Sequence, residues 1–162
     1  TLHLLRHAKS DWDDKSLTDH ERPLAPRGVK AAHQLARHLE DSPIVVDLVI
    51  CSTARRTRET LELIRQALGD VSVKFDDDLY AASTDKLLAR LHRVPAKVGA
   101  VMLIGHNPGM EELAWLLLGP GRAPGDFPTA ALASMTFAAA DDWRSIREGA
   151  GKRIGFVTPK DL

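Results

Sequence analysis

Two histidines and a set of arginines are the residues of this sequence whose types and spacing can do chemistry. Arg6 and His7 stand side by side behind the apolar run Leu2-His3-Leu4-Leu5. "CSTARRTRET" (51–60) places Ser52, Arg55, Arg56 and Arg58 behind a second apolar run, and "LIGHNPG" (103–109) places Gly105, His106 and Asn107 behind a third. Guanidinium forks match phosphate oxygens, and an imidazole serves near neutral pH as nucleophile or donor. Each group alone is ordinary. Arg6-His7 reads as a solvated strand end, "ARRTRET" as an exposed helix face with an Arg55–Glu59 pair, and "GHNPG" as a turn opening a helix. Their joint placement points to a phosphate pocket with a nucleophile inside.

The elements that must position these groups follow from periodicity. Leu2–Arg6, Val45–Cys51 and Ala100–Gly105 are short, apolar and partly β-branched, as buried strands are. Val71–Phe75 reads as another short strand, and Ala131–Phe137 and Arg153–Val157 alternate enough to be the last two. Helical spacing runs from Arg27 to Glu40, from a Ser52 or Thr53 cap to Leu68 with Gly69 as its stop, from a Thr84 cap to Arg93, and over Met110–Leu118. Thr18–Gly28 and the Gly- and Pro-rich stretch Gly119–Ala130 read as loops. Strands alternating with helices predict an α/β fold, a three-layer α/β/α sandwich with a mainly parallel central sheet. Ligands of such sheets bind outside the carboxyl ends of the strands. All three groups sit there, two of them running into helix N-termini that favour an anion.

Composition narrows the classes. The 162 residues suit one domain spanning 1–162, and 44% hydrophobic with 27% charged residues fits a globular chain. Lysine plus arginine balance aspartate plus glutamate, 22 against 22, so no basic excess argues for a nucleic-acid partner. No apolar stretch is long enough to span a bilayer, and the start lacks the basic and apolar regions of a secretory signal, so no membrane association is expected. A single cysteine, Cys51, excludes an internal disulfide and suits a reducing, cytoplasmic setting.

With these motifs in place, the sequence resembles the histidine phosphatase superfamily, also called phosphoglycerate mutase-like, and within it the small branch similar to the phosphohistidine phosphatase SixA. "LLRHAKS" matches its Leu-x-Arg-His opening. Ser52, Arg56 and Thr60 match a Ser-x-x-x-Arg-x-x-x-Thr element, and "LIGHNPG" matches a Gly-His-Asn-Pro element. The resemblance implies a metal-independent phosphatase without a cofactor. His7 would be the nucleophile that carries the phosphoryl group, and Arg6, Arg56 and His106 would bind the three equatorial oxygens. Ser52, Arg22, Arg58 and Asn107 are further candidates for binding phosphate or substrate. Helical geometry prevents Arg55, Arg56 and Arg58 from all facing one pocket, and the motif selects Arg56.

Three departures bear on substrate. Ala81 stands where members acting on phosphate esters carry a general-acid Glu, and Asp19, Glu21, Asp76, Asp77 and Asp78 remain as alternative acids. Asp13 replaces an Asn common in mutases, and Lys9 replaces a common Glu. A phosphoramidate leaves more easily than an alkoxide, so the lost acid suits phosphohistidine in a protein. The rival substrate is a small phosphate ester, and the rival class is a non-catalytic phosphate-binding module. A cysteine phosphatase would need an arginine six residues after Cys51, where Thr57 stands. His3, His20, His33, His38 and His92 read as surface or helix-face residues with no metal-ligand spacing.

Overall fold

A computed structural model of the chain describes residues 1–139 and 141–162. Its order is β1 (Leu2–Arg6), α1 (Pro26–Asp41), β2 (Leu48–Ser52), α2 (Arg55–Leu68), β3 (Ser72–Asp76), α3 (Thr84–His92), β4 (Val101–Gly105), α4 (Gly109–Leu118), β5 (Leu132–Thr136) and β6 (Lys152–Val157). The strands form one sheet in the order β3-β2-β4-β1-β5-β6. The pairings β3–β2, β2–β4 and β4–β1 are parallel, while β1–β5 and β5–β6 are antiparallel.

Side-chain alternation along the central strands builds two cores. Leu4, Ile50 and Leu103 face α3 and α4, where they pack with Leu87, Leu91, Met110, Leu113 and Leu117. Leu5, Val49, Cys51 and Ile104 face α1 and α2, packing with Leu35, Leu39, Leu61 and Ile64. This is the expected α/β/α sandwich, with the sheet covered on both faces. Each fully buried leucine or isoleucine contributes about 1.5–3 kcal/mol by leaving water.

Several local expectations shift. The β2 strand starts three residues later than expected, because Val45 is 72% exposed. Neither Ser52 nor Thr53 caps α2. Its N-cap is Ala54, the Ser52 hydroxyl accepts from the Ala54 N–H, and the Thr53 hydroxyl donates to Asp77. Ser83, not Thr84, caps α3, accepting from the Lys86 N–H. His3 is not at the surface. Because β1 is covered on both faces, its ring is buried between the Ser134 hydroxyl and the Val45 carbonyl.

Candidate active site

The carboxyl ends of β1, β2 and β4 open into a pocket of about 340 Å³. Arg6, His7, Arg56 and His106 line it, together with Arg22, Asn107, Lys9, Ser10, Trp12, Asp19 and Thr129. A larger depression of about 660 Å³, lined by Leu118, Arg122 and Lys152 among others, contains no histidine. Sheet register sets the two histidines side by side, since Arg6 pairs with Gly105 and the His7 N–H donates to the Gly105 carbonyl. The His7 and His106 ring centres are 5.2 Å apart.

Backbone anchors fix the turn after β1. The Thr60 hydroxyl of α2 accepts from the Ala8 N–H and donates to the Arg56 carbonyl. The Lys9 carbonyl accepts from the Ala25 N–H, and α1 passes so close that a Cβ at Gly28 would run into that carbonyl. The ring of His7 is therefore held where its Nδ1 lies 2.7 Å from the Ala8 carbonyl. A carbonyl only accepts, so Nδ1 carries the proton and Nε2 keeps its lone pair. Burial, with Arg56, Arg6 and Arg22 nearby, pushes the His7 pKa down to about 4. At neutral pH the ring is uncharged, with Nε2 unprotonated.

His106 is set by the same logic. An Arg56 Nη donates to its Nδ1 at 3.2 Å, so Nε2 carries the proton and donates to the Ser52 hydroxyl at 2.8 Å. Burial, then His7 and Arg56, bring its pKa down to about 3. Arg56 also donates to the Asp19 carbonyl at 2.7 Å and to the Asp19 carboxylate at 3.1 Å. Arg22 is only 6% exposed and donates to Asp19, the Ser10 hydroxyl and the Asp11 carbonyl. Arg6 and Asn107 both donate to the Phe127 carbonyl, which ties the Gly119–Ala130 loop to the pocket and brings Thr129 to its wall. The Nε–H groups of Arg6 and Arg56 are buried without a partner among the described residues.

Among the lining residues, Arg6, Lys9, Arg22 and Arg56 oppose one carboxylate, Asp19. The Tyr80 hydroxyl donates to that carboxylate, and with Arg56 and Arg22 it holds the Asp19 pKa down to about 2 despite some burial. The other candidate acids lie elsewhere. Asp76 pairs with Arg90, Asp78 with Lys86 and Arg93, Asp77 accepts from Thr53, and Glu21 pairs with His20. Ala81 and Asp13 do not line the pocket.

Two expected binders stand apart. Ser52 is fully buried and bonds to His106, outside the lining. Arg58 is exposed in a separate groove with Glu21, Glu59 and Glu62, because a residue two positions from Arg56 sits about 200° around the helix. At the start of α4 the Met110 amide donates to the His106 carbonyl and the Glu111 amide to the Asn107 side chain. Trp12, Thr129, Ser10 and Tyr80 escaped sequence reasoning. The first lies in a polar loop with no period, and the others depend on chain crossings that spacing does not encode. Burial pushes the Cys51 thiol up to about 12, which disfavours a thiolate nucleophile.

The profile of the histidine phosphatase superfamily (branch 1) matches residues 2–90. The chain belongs to this superfamily. It is a phosphatase, of the SixA-like kind. A solved structure of the protein histidine phosphatase SixA complexed with tungstate is 25% identical, covers 99% of this chain and 97% of its own, and superposes with a TM-score of 0.81. A structure assigned as phosphohistidine phosphatase SixA from Agrobacterium tumefaciens is 29% identical, covers 98% of this chain and 97% of its own, and has a TM-score of 0.84. The uncharacterised protein Rv1276c of Mycobacterium tuberculosis is 32% identical over 96% of this chain and 100% of its own length.

Proposed function

We propose that the chain hydrolyses phosphohistidine in proteins through a phosphoryl intermediate on His7. The observation that carries the mechanism is the 2.7 Å contact between His7 Nδ1 and the Ala8 carbonyl, which assigns the proton to Nδ1 and leaves the Nε2 lone pair to attack in a pocket lined by Arg6, Arg22 and Arg56. Phosphoryl transfer is mostly positioning and neutralisation of oxygen charge, and these guanidinium groups supply both. The Nε2 lone pair forms a bond to phosphorus while the bond to the leaving group breaks. Water then attacks phospho-His7, releases phosphate and restores the lone pair. His106 serves through Arg56, whose guanidinium it holds at the pocket by accepting at Nδ1. The positive field comes from the chain, so the scheme needs no metal ion. Tungstate, bound by a SixA relative, is a tetrahedral dianion like phosphate.

The substrate class rests on Asp19. It is the carboxylate among the lining residues, and its low pKa leaves it no proton to give near neutral pH. An alkoxide leaving group needs such a proton. An imidazole already protonated on its distal nitrogen departs as a neutral ring and needs none. The test is phosphate release, with EDTA present, from a histidine-phosphorylated protein and from an alkyl phosphate. Wild type is expected to favour the first substrate by at least about 100-fold, the usual worth of a general acid. His7→Ala is expected to lose activity on both and to trap no phosphoryl group. Full activity in His7→Ala would end the nucleophile assignment. Equal rates on the two substrates would end the phosphohistidine assignment.

A further inference from the structure

Trp12 is a large apolar side chain that the fold leaves 64% exposed, and it belongs to none of the buried clusters. It nevertheless lines the catalytic pocket. One face of its indole lies on Arg22, whose guanidinium carbon is 3.3 Å from the ring centre. Arg22 is itself locked by Asp19, Ser10 and the Asp11 carbonyl, so the indole rests on a fixed support. His7, by contrast, is 7% exposed. The nucleophile is therefore at the floor of the pocket and the indole at its rim.

In-line displacement places the leaving atom on the side of phosphorus facing away from the attacking nitrogen. With His7 at the floor, that side is the mouth, where Trp12 stands. Resting on the proposed phosphohistidine reading, we infer that Trp12 is the platform against which the leaving ring lies, so that the pocket selects phosphoryl groups carried on a planar ring. In the step it serves, the His7 Nε2 lone pair forms the new N–P bond. The old P–N bond breaks, and its electron pair stays on the substrate's imidazole, which leaves neutral because its distal nitrogen already holds a proton. An indole fits this task because aromatic rings attract one another in offset or edge-to-face contact while the polar edges of the leaving imidazole stay in water. Shielding of Arg22 alone would account for the stacked face but would give no preference for rings.

The two roles separate with substrates that share a P–N bond and differ in the ring: phosphohistidine and phosphoramidate, whose leaving group is ammonia. The readouts are kcat/KM for each and the inhibition constant of inorganic phosphate, for wild type, Trp12→Leu and Trp12→Phe. The expected result in Trp12→Leu is a fall of about threefold to tenfold in the ratio of kcat/KM for phosphohistidine over phosphoramidate, the scale of one aromatic pair. Trp12→Phe should recover most of that ratio, and phosphate inhibition should stay within about twofold in both variants. Equal losses on both substrates, or an unchanged ratio, would overturn the inference while leaving the His7 reading intact. Wild type inactive on both substrates would overturn the two together.

Discussion

Each of the two pocket imidazoles has its proton placed by a neighbour that can act in only one way. The Ala8 carbonyl can only accept and the Arg56 guanidinium can only donate, so the two rings hold opposite tautomers within one pocket. Both are also kept uncharged, and this has a signed consequence for stability. Unfolded, each ring takes up a proton near pH 6.5; folded, His7 does so at about 4 and His106 at about 3. Between those limits the unfolded chain binds protons that the folded chain does not, so stability is full above about 6.5 and falls as pH drops toward 4. NMR titration of the ring signals should show His7 and His106 uncharged from pH 8 to about 5. The melting temperature should fall over the same acid range by less in His106→Gln than in wild type. A His7 ring that titrates near 6.5 would contradict the assignment. At this scale the sequence put forward Arg6, His7, Arg56 and His106, because each closes an apolar strand or falls in a motif, and the fold brings the four to one pocket. Asp19 was one of five acids that spacing could not separate. What singles it out is its bonding to Arg22, Arg56 and Tyr80, from three different parts of the chain.

Helices and strands matter here for what they pin. Thr60, five residues into α2, bonds the Ala8 N–H at the end of the β1 turn, and the Ala8 carbonyl in turn orients His7. Thr60→Val keeps the shape and removes the acceptor, leaving a buried N–H unpaired at a cost of about 1–3 kcal/mol. Urea unfolding should show that loss. If the turn orients the nucleophile, kcat should fall more than KM rises. A variant with unchanged stability would show that the bond is dispensable. The existence of the six strands and four α-helices was legible in the sequence, the central strands as continuous apolar runs and the helices by their 3.6 repeat, while the single 3-10 turns at Asp19–Glu21, Asp77–Leu79, Trp143–Ser145 and Pro159–Asp161 were not. Their ends were less so. Capping depends on which oxygen meets which amide, and Ser52 spends its hydroxyl on His106 and Ala54 rather than on the first turn of α2.

The whole molecule carries no formal net charge, yet the pocket sets Arg6, Lys9, Arg22 and Arg56 against one carboxylate. The attraction for a phosphate dianion is therefore local, and its reach is set by the Debye length. Raising sodium chloride from about 0.05 to about 0.5 M should lower kcat/KM for a dianionic substrate severalfold, with kcat changed less. A flat response would mean that the cations act only on contact. The α/β/α layering and the site at the carboxyl ends of the strands followed from the alternation of strands and helices. The strand order did not, because β2 and β4, β4 and β1, and β1 and β5 are neighbours in the sheet but not in the chain. That order has a consequence during synthesis. The β1 strand is flanked by β4 and β5, and the His7 N–H bonds to the end of β4. A chain emerging from the ribosome thus carries His7 well before it has a strand to lay beside β1, which comes only with Val101 and its successors. The cations and the imidazole stay unassembled throughout that interval, so a nascent or truncated chain gains the pocket only when the strand made fourth slides between the two made first.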